Sequence, residues 1–370
     1  MTSDVPNLRF PEFQGEWEEY RIEDITENIS SGRCKSHSPN GKYNLYGSTG
    51  IIGKTDEACY EGNLVLVARV GANAGSLQII NEPCGITDNT LIIKSKEVDA
   101  LYLYFFLQHF NLNRLIFGSG QPLITGGMLK KVKVSLGTVQ EQNKLTRLLS
   151  FLDERIATQN KIIEDLKKLK SAIIEEHYKK VEKRSVLVSE LGEPFNVRNL
   201  SKEDLTTTGT PCVLYGELFT TYEAAINHVE SHTNKSDGMT LSKKGDLLFP
   251  SSTTVDAVSL IAPSVINVDN VILGGDMFGI HINFDFNAQY LSYFFNHIAK
   301  SQFAKYAKGS TIIHLHYKDI AKAKLSLPCL EEQNRMAKCL VALDKKVSVE
   351  QNLLSSLTCQ KSFLLQQMFI

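Results

Sequence analysis

A chain of 370 residues that is 42% hydrophobic and 22% charged holds enough apolar material for two or three domains, which excludes a disordered or fibrous polypeptide. Its 40 basic and 41 acidic side chains leave a formal net charge of −1, against a protein that coats nucleic acid nonspecifically through a basic excess. No window approaches 18 apolar residues and no signal-like segment opens the chain. The seven cysteines form no C-x-x-C pair and stand at no zinc spacing; the chain reads as cytoplasmic, with reduced thiols and no metal.

In chain order, the first stretch with a chemical signature is LYGSTGIIGKT, residues 45–55. Gly53-Lys54-Thr55 resembles the end of a phosphate-binding P-loop, but the glycine that loop needs five residues before the Gly-Lys pair is Ser48, with glycines at Gly47 and Gly50 instead. A P-loop also opens a helix, whereas DEACYEGNLVLVARV reads as a turn at 61–63 followed by a strand. The stretch is read as a turn glycine with a variable polar loop behind it. An ATPase using residues 45–55 stays as the competing reading from another class.

Polar loops SSGRCKSHSPNGK and RVGANAGS lie between short apolar strands, and the aromatic run LYLYFF follows. Residues 100–140 contain no acid but carry Arg114, Lys130, Lys131 and Lys133; residues 286–330 contain one acid, Asp319, against six lysines. These two basic segments correspond to each other. GSGQPLITGGMLKKVKVSLGTVQEQN from Gly118 and GSTIIHLHYKDIAKAKLSLPCLEEQN from Gly309 align at an offset of 191 residues. Without a gap the offset continues to pair Asp153 with Asp344 and Lys170-Ser171 with Lys361-Ser362. Upstream, with gaps, Tyr104-Phe105-Phe106 answers Tyr293-Phe294-Phe295, Asn63-Leu64 answers Asp246-Leu247, and Leu45-Tyr46-Gly47 answers Leu214-Tyr215-Gly216. The chain is thus one plan used twice, each copy strand-rich first and helical last. The second copy of the opening stretch, LYGELFTTY, has no GKT.

Glycine and proline are absent from Asn143 to about Glu182, and the last helix begins at Asn334 under the same rule. Leu145, Leu149, Leu152, Ile156, Ile163 and Leu166 on the first, and Met336, Leu340, Leu343, Val347, Leu354 and Leu357 on the second, follow the 4-3 spacing of a coiled-coil seam. Gln159 and Glu350 interrupt both seams at the same place. The alternative is two ordinary core-facing amphipathic helices. Against it stand the length, about 54 Å for ~36 residues at ~1.5 Å each, and the symmetry. Two such helices pairing antiparallel hold two similar domains apart, an arrangement suited to two DNA half-sites with an untouched gap.

The Ser, Thr, Asn and Gln of the loops are residue types that contact base edges and phosphates, and the copies diverge most there. The aromatic runs are read as core in preference to base-stacking platforms, and His314 and His316 as polar contacts in preference to metal ligands. No motif for methyl transfer, zinc hydrolysis, an acyl-transfer nucleophile or metal-dependent phosphodiester cleavage is present.

LRFPEFQGEWEEYRIEDI at the N-terminus, the two repeated segments, the helix after each and the LLQQMF ending together resemble the specificity subunit of type I restriction-modification systems. The resemblance covers essentially the whole chain. It implies an α+β fold with two pseudo-repeated target-recognition domains, residues 1–142 and 185–333, separated by antiparallel coiled-coil spacer helices at 143–184 and 334–370. It further implies that each domain reads half of a bipartite DNA target. The helices would dock two modification (adenine methyltransferase) subunits, and restriction subunits with translocase and nuclease activity would join. This chain then does no chemistry, and S-adenosylmethionine, Mg²⁺ and ATP belong to the partners. A stand-alone DNA-binding or regulatory protein on the same scaffold is the alternative. The family's P-L-P-P before the E-Q is Ser135-Leu136-Gly137-Thr138 in the first copy and Ser326-Leu327-Pro328-Cys329 in the second.

On this reading the candidate contacts for the first half-site are Ser48, Lys54, Arg69, Asn73, Gln121 and Thr125, with Lys130 and Lys133 on phosphates. For the second they are Ser251, Ser252, Thr253, His314 and His316, with Lys318, Lys322 and Lys324 on phosphates.

Overall fold

The computed structural model describes residues 5–35, 37–96, 98–116 and 120–370; Gly118 and Ser119, which open the first repeat segment, lie outside the described residues. The chain divides into two compact units, residues 1–161 with 351–370, and residues 162–350.

In the first unit Leu64–Ala68 is apolar throughout and all five residues are buried, as befits a central strand covered on both faces. It pairs antiparallel with Leu77–Ile80 and Thr90–Ser95, and Thr26–Ser31 completes the sheet. Val65 and Val67 belong to the main core with helix Ala100–Phe110; Leu64 and Leu66 belong to a smaller core shared with Cys84 and Ile86. That helix starts where the Asp99 carboxylate accepts the Leu101 N–H at 3.0 Å and ends at Asn111 in the left-handed region, φ 56°. A second sheet sets Tyr43–Gly47 between Gly50–Thr55 and Cys84–Ile86.

The second unit repeats the plan. Asp246–Pro250 is wholly buried at the centre of a five-stranded sheet, and helix Ala288–His297 is capped by Asn287, whose side chain accepts the Tyr290 N–H at 2.8 Å. In each unit a short strand pair, Glu18–Arg21 with Lys133–Leu136 and Arg184–Leu187 with Lys324–Leu327, ties the entry of the unit to the segment before its long helix.

The structure moves all three upstream pairings: Tyr46 faces Ile86 as Val213 faces Leu273, which sets Tyr46 opposite Val213, two residues from Tyr215, and the other two pairings shift by one residue. The caps at Asp99 and Asn287 place Phe105, not Tyr104, opposite Tyr293, and Tyr102-Leu103 opposite Tyr290-Leu291. The ladders likewise place Leu64, not Asn63, opposite Asp246, because Leu64 faces Lys94 as Asp246 faces His281. The aromatic runs are core: Tyr102, Phe105, Phe106, Tyr293, Phe294 and Phe295 are all buried.

The long helices are Val139–Lys180 and Leu330–Met368, each beginning four residues before the Asn143 and Asn334 read from sequence. The buried Gln of each E-Q-N motif explains the early start. Gln142 Nε2 donates to the Gly137 carbonyl and Gln333 Nε2 to the Pro328 carbonyl, both at 2.9 Å, which turns the chain into its first helical turn. Both long helices pass through a unit boundary, and within each unit their segments run antiparallel. Asp153 meets Lys361 in the first unit and Lys170 meets Asp344 in the second. Leu145, Leu149, Leu152, Ile163, Met336, Leu340, Val347 and Leu357 are buried, while Ile156, Leu166, Leu343 and Leu354 are half-buried. The earliest of these, Leu145 and Leu149 in one unit and Met336 and Leu340 in the other, pack into the globular cores. Both readings of the helices therefore hold, in different turns: the first turns face a core and the later ones form the seam. Gln159 and Glu350 are buried in it at equivalent places.

Candidate nucleic-acid interface

The central strand of the first unit ends at Ala68 and delivers Arg69 to a junction of three segments. The Arg69 N–H donates to the Asn89 carbonyl at 2.9 Å, its own carbonyl accepts the Ile124 N–H at 2.8 Å, and the Gly71 N–H donates to the Pro122 carbonyl at 3.0 Å. The Ser48 hydroxyl reaches the same Asn89 carbonyl at 3.1 Å. The backbone bonds and the Ser48 hydroxyl thus bring together the segments that carry Ser48, Arg69, Asn73, Gln121 and Thr125. Asn73, Asn89 and Gln121 are exposed. The Arg69 guanidinium donates to Ser31 Oγ at 3.4 Å. The Thr125 hydroxyl accepts the Met128 N–H at 3.3 Å and so caps helix Gly126–Lys130.

The same junction recurs in the second unit. The Ser251 N–H donates to the Asp276 carbonyl at 2.7 Å, its carbonyl accepts the Leu315 N–H at 2.9 Å, and Ser252–Thr253 pairs with Ile313–His314. Arg69 and Ser251, Asn89 and Asp276, and Ile124 and Leu315 are therefore equivalent. Beside this junction opens a cavity of about 710 Å³ whose lining includes Lys202, Tyr215, Glu217, Thr220, Ser252, Thr253, Asp276 and Ile312. The side chains of Ser251 and Ser252 belong to buried residues, 3% and 7% exposed, so of this run Thr253 is the more accessible. Ser231 Oγ donates to Glu217 at 2.5 Å and the Leu214 N–H at 2.7 Å, which commits that acid to holding the loop.

The remaining candidates lie apart from the junctions or are already paired. Lys54 Nζ donates to Asn44 Oδ1 at 2.8 Å on a strand, not in a loop. Residues 43–55 form a β-hairpin turned at Gly50, φ 112°, and no helix opens after Lys54, so the geometry of a P-loop is absent. Lys133 is exposed and pairs with Glu19 at 2.7 Å, and Lys130 is exposed at the end of its short helix. His316 is exposed and stacks on His314, centroids 6.1 Å apart. The His316 N–H donates to Asp319 at 3.1 Å and Lys308 Nζ at 2.5 Å; the lysine, foremost, holds that carboxyl below the usual carboxylate range. Lys318, Lys322 and Lys324 are exposed. Among the described residues no group of three or more His, Cys, Asp or Glu is placed to hold a metal ion, and no helix is long and apolar enough to cross a membrane.

Sequence reasoning missed Asn89, Asp276, Lys202 and Thr220. Asn89 and Asp276 fall where the two copies align only with gaps, so the offset of 191 does not pair them; only the ladder register does.

The family model of the type I restriction modification DNA specificity domain matches the chain twice, at residues 14–168 and 184–358. The type I restriction enzyme MjaVIII specificity subunit of Methanocaldococcus jannaschii is 24% identical over 94% of this chain and 90% of its own length. A putative type I restriction enzyme specificity subunit of Haemophilus influenzae, S.HindORF215P, is 21% identical over 86% of this chain and 84% of its own. In fold, the chain is similar to the crystal structure of a type I restriction-modification S subunit from M. genitalium, with a TM-score of 0.70, 17% identity and 99% of both chains covered. A second likeness, at a TM-score of 0.55 and 13% identity over 95% of this chain and 97% of the other, is to a chain from a structural study of type I restriction-modification complex assembly.

Proposed function

Because the chain belongs to the family of type I restriction-modification DNA specificity domains, we propose that it is the DNA sequence-recognition subunit of a type I restriction-modification complex. The observation that carries this is the double family match, with one copy of the same hydrogen-bonded junction in each unit. Two versions of one recognition scaffold in one chain suit a target with two different half-sites. The recognition domains are the globular parts that precede the two long helices, and the helices Val139–Lys180 and Leu330–Met368 set the half-site spacing and dock two methyltransferase subunits. The chain is non-catalytic; S-adenosylmethionine, Mg²⁺ and ATP are used by the methyltransferase and restriction subunits.

The residues gathered at the junctions supply base contacts, chiefly Arg69, Asn73 and Gln121 for one half-site and Thr253 and His314 for the other. The exposed lysines Lys130, Lys318, Lys322 and Lys324 neutralise phosphates, which gives affinity and salt dependence without sequence information. A single-molecule methylome of a host expressing the methyltransferase subunits, with and without this chain, tests the reading. A bipartite methyladenine motif that depends on this chain supports it; its absence, with the methyltransferase soluble, refutes it.

A further inference from the structure

Asn89 and Asp276 occupy the same place in the two units. Each immediately precedes the strand that pairs with the central strand, Thr90–Ser95 in one and Met277–Ile282 in the other. Each carbonyl accepts the N–H of the residue after the central strand, Arg69 at 2.9 Å and Ser251 at 2.7 Å. The backbone at this position is therefore fixed by bonds that do not involve the side chain. Among the described residues, neither the Asn89 amide nor the Asp276 carboxylate takes part in a hydrogen bond, in contrast to Glu217, the other acid of the cavity. Asn89 is exposed and Asp276 is half-buried in the cavity wall with Thr253, Lys202 and Thr220.

The two side chains differ in the chemistry they offer to a base edge. An amide donates and accepts at once, which matches N6 and N7 of adenine; a carboxylate only accepts, which matches the N4 amino group of cytosine. A carboxylate facing DNA is repelled by the phosphates, so its place on such a surface is accounted for by a base that donates to it. Building on the DNA-recognition reading above, we propose that residues 89 and 276 are equivalent base-reading positions, Asn89 selecting adenine in one half-site and Asp276 selecting cytosine in the other.

The test is a selection of bound sequences by the complex of the full chain with its methyltransferase subunits, from a DNA library randomised in both half-sites. Wild type, Asn89→Asp and Asp276→Asn are compared. Both substitutions are nearly isosteric and leave the backbone bonds in place. The expected result for Asp276→Asn is a shift from cytosine towards adenine at one position of one half-site, on the order of tenfold to a hundredfold, with the other half-site read as before. Asn89→Asp shifts the other half-site from adenine towards cytosine. A wild-type motif that both variants reproduce unchanged overturns this inference alone, as does a uniform loss of affinity with no altered base preference. A wild-type complex that selects no bipartite sequence overturns the recognition reading, and this inference with it.

Discussion

Lys170 Nζ lies 2.5 Å from Asp344 Oδ1, and 191 residues away in both partners Lys361 Nζ lies 2.5 Å from Asp153 Oδ1. Each unit holds one copy of the pair, and in each the lysine also covers an aromatic ring, Tyr293 at 4.8 Å and Phe105 at 5.4 Å from the centroids. The Tyr293 hydroxyl donates to the same Asp344 at 2.5 Å. Lys170 is only 12% exposed, so the pair is drier than a surface ion pair and its loss leaves a carboxylate short of a partner. Lys170→Met should destabilise the second unit by about 1–3 kcal/mol, and Lys170→Met with Asp344→Leu should recover part of this. A double-mutant cycle in urea checks it; a coupling below ~0.5 kcal/mol, the range of exposed pairs, would show that the network contributes little.

The glutamines of the two E-Q-N motifs make a graded comparison. Gln333 is fully buried, donates to the Pro328 carbonyl at 2.9 Å and accepts the Asn287 N–H at 3.0 Å. Gln142 makes the corresponding donation to Gly137. Gln333→Leu strands two backbone groups and should cost ~2–4 kcal/mol, against ~1–3 for Gln142→Leu, from the cost of leaving each group unsatisfied. Thermal unfolding of the two variants side by side measures the order, and a larger loss at Gln142 would contradict it.

A charge in the seam acts differently. Leu152 is buried and Leu343 half-buried on the long helices, and Leu152→Glu with Leu343→Glu should cost several kcal/mol locally, because an unpaired carboxylate is forced against apolar neighbours. Size-exclusion chromatography with the methyltransferase subunits should then show lost assembly while both recognition domains keep their near-ultraviolet circular dichroism. Unaltered assembly would separate the seam from subunit docking.

The helices and the repeat were legible because their signals are periodic or identical: a 4-3 apolar spacing, and an E-Q-N motif whose glutamine has the same job twice. The departure from proline at Gly137 also has a local cause, since a Cβ there would stand 2.5 Å from Glu141 Oε2 and 2.7 Å from Trp17 Nε1. Glu141 is buried between Trp17 and the guanidinium of Arg9, a partner with no signature in sequence. The three slips arose because similar letters, such as Tyr-Phe-Phe in both helices, need not face the same neighbours; caps and ladders decide that. The junction residues were only half legible. Their polar type was visible, but Ser251 and Ser252 are turned into buried positions and Asn89 and Asp276 gain their place only from strand pairing. Nor did the sequence reveal that Met368 and Phe369 complete the first unit's core, where Phe369 lies against Tyr102 and His109.

That contact gives the first unit a pH dependence. Burial, chiefly, pushes the His109 imidazole below its ordinary pKa, although a bond to the Leu365 backbone works in the opposite direction. A histidine with a depressed folded pKa is charged more readily when unfolded, so the unfolded chain takes up the proton first and stability falls as pH drops below about 6.5. Unfolding followed at pH 7.5 and 5.5 should show a loss that His109→Leu reduces. An identical loss in the variant would place the titrating group elsewhere.

The DNA contacts separate into two kinds by what they change. Gln121 is exposed at the first junction, and Gln121→Ala should relax selectivity at one base pair by about 1–3 kcal/mol while leaving the others intact. Lys322 is exposed in the second unit, and Lys322→Ala should weaken all sequences alike and reduce the salt slope of binding by about one. Titrations of the complex with matched and singly mismatched duplexes at several salt concentrations distinguish the two. A Gln121 variant that loses affinity uniformly would be a phosphate contact, and a Lys322 variant with an unaltered salt slope would put that lysine away from the DNA. Because the two residues belong to different units, their effects should add, so the double variant also tests whether the half-sites are read independently.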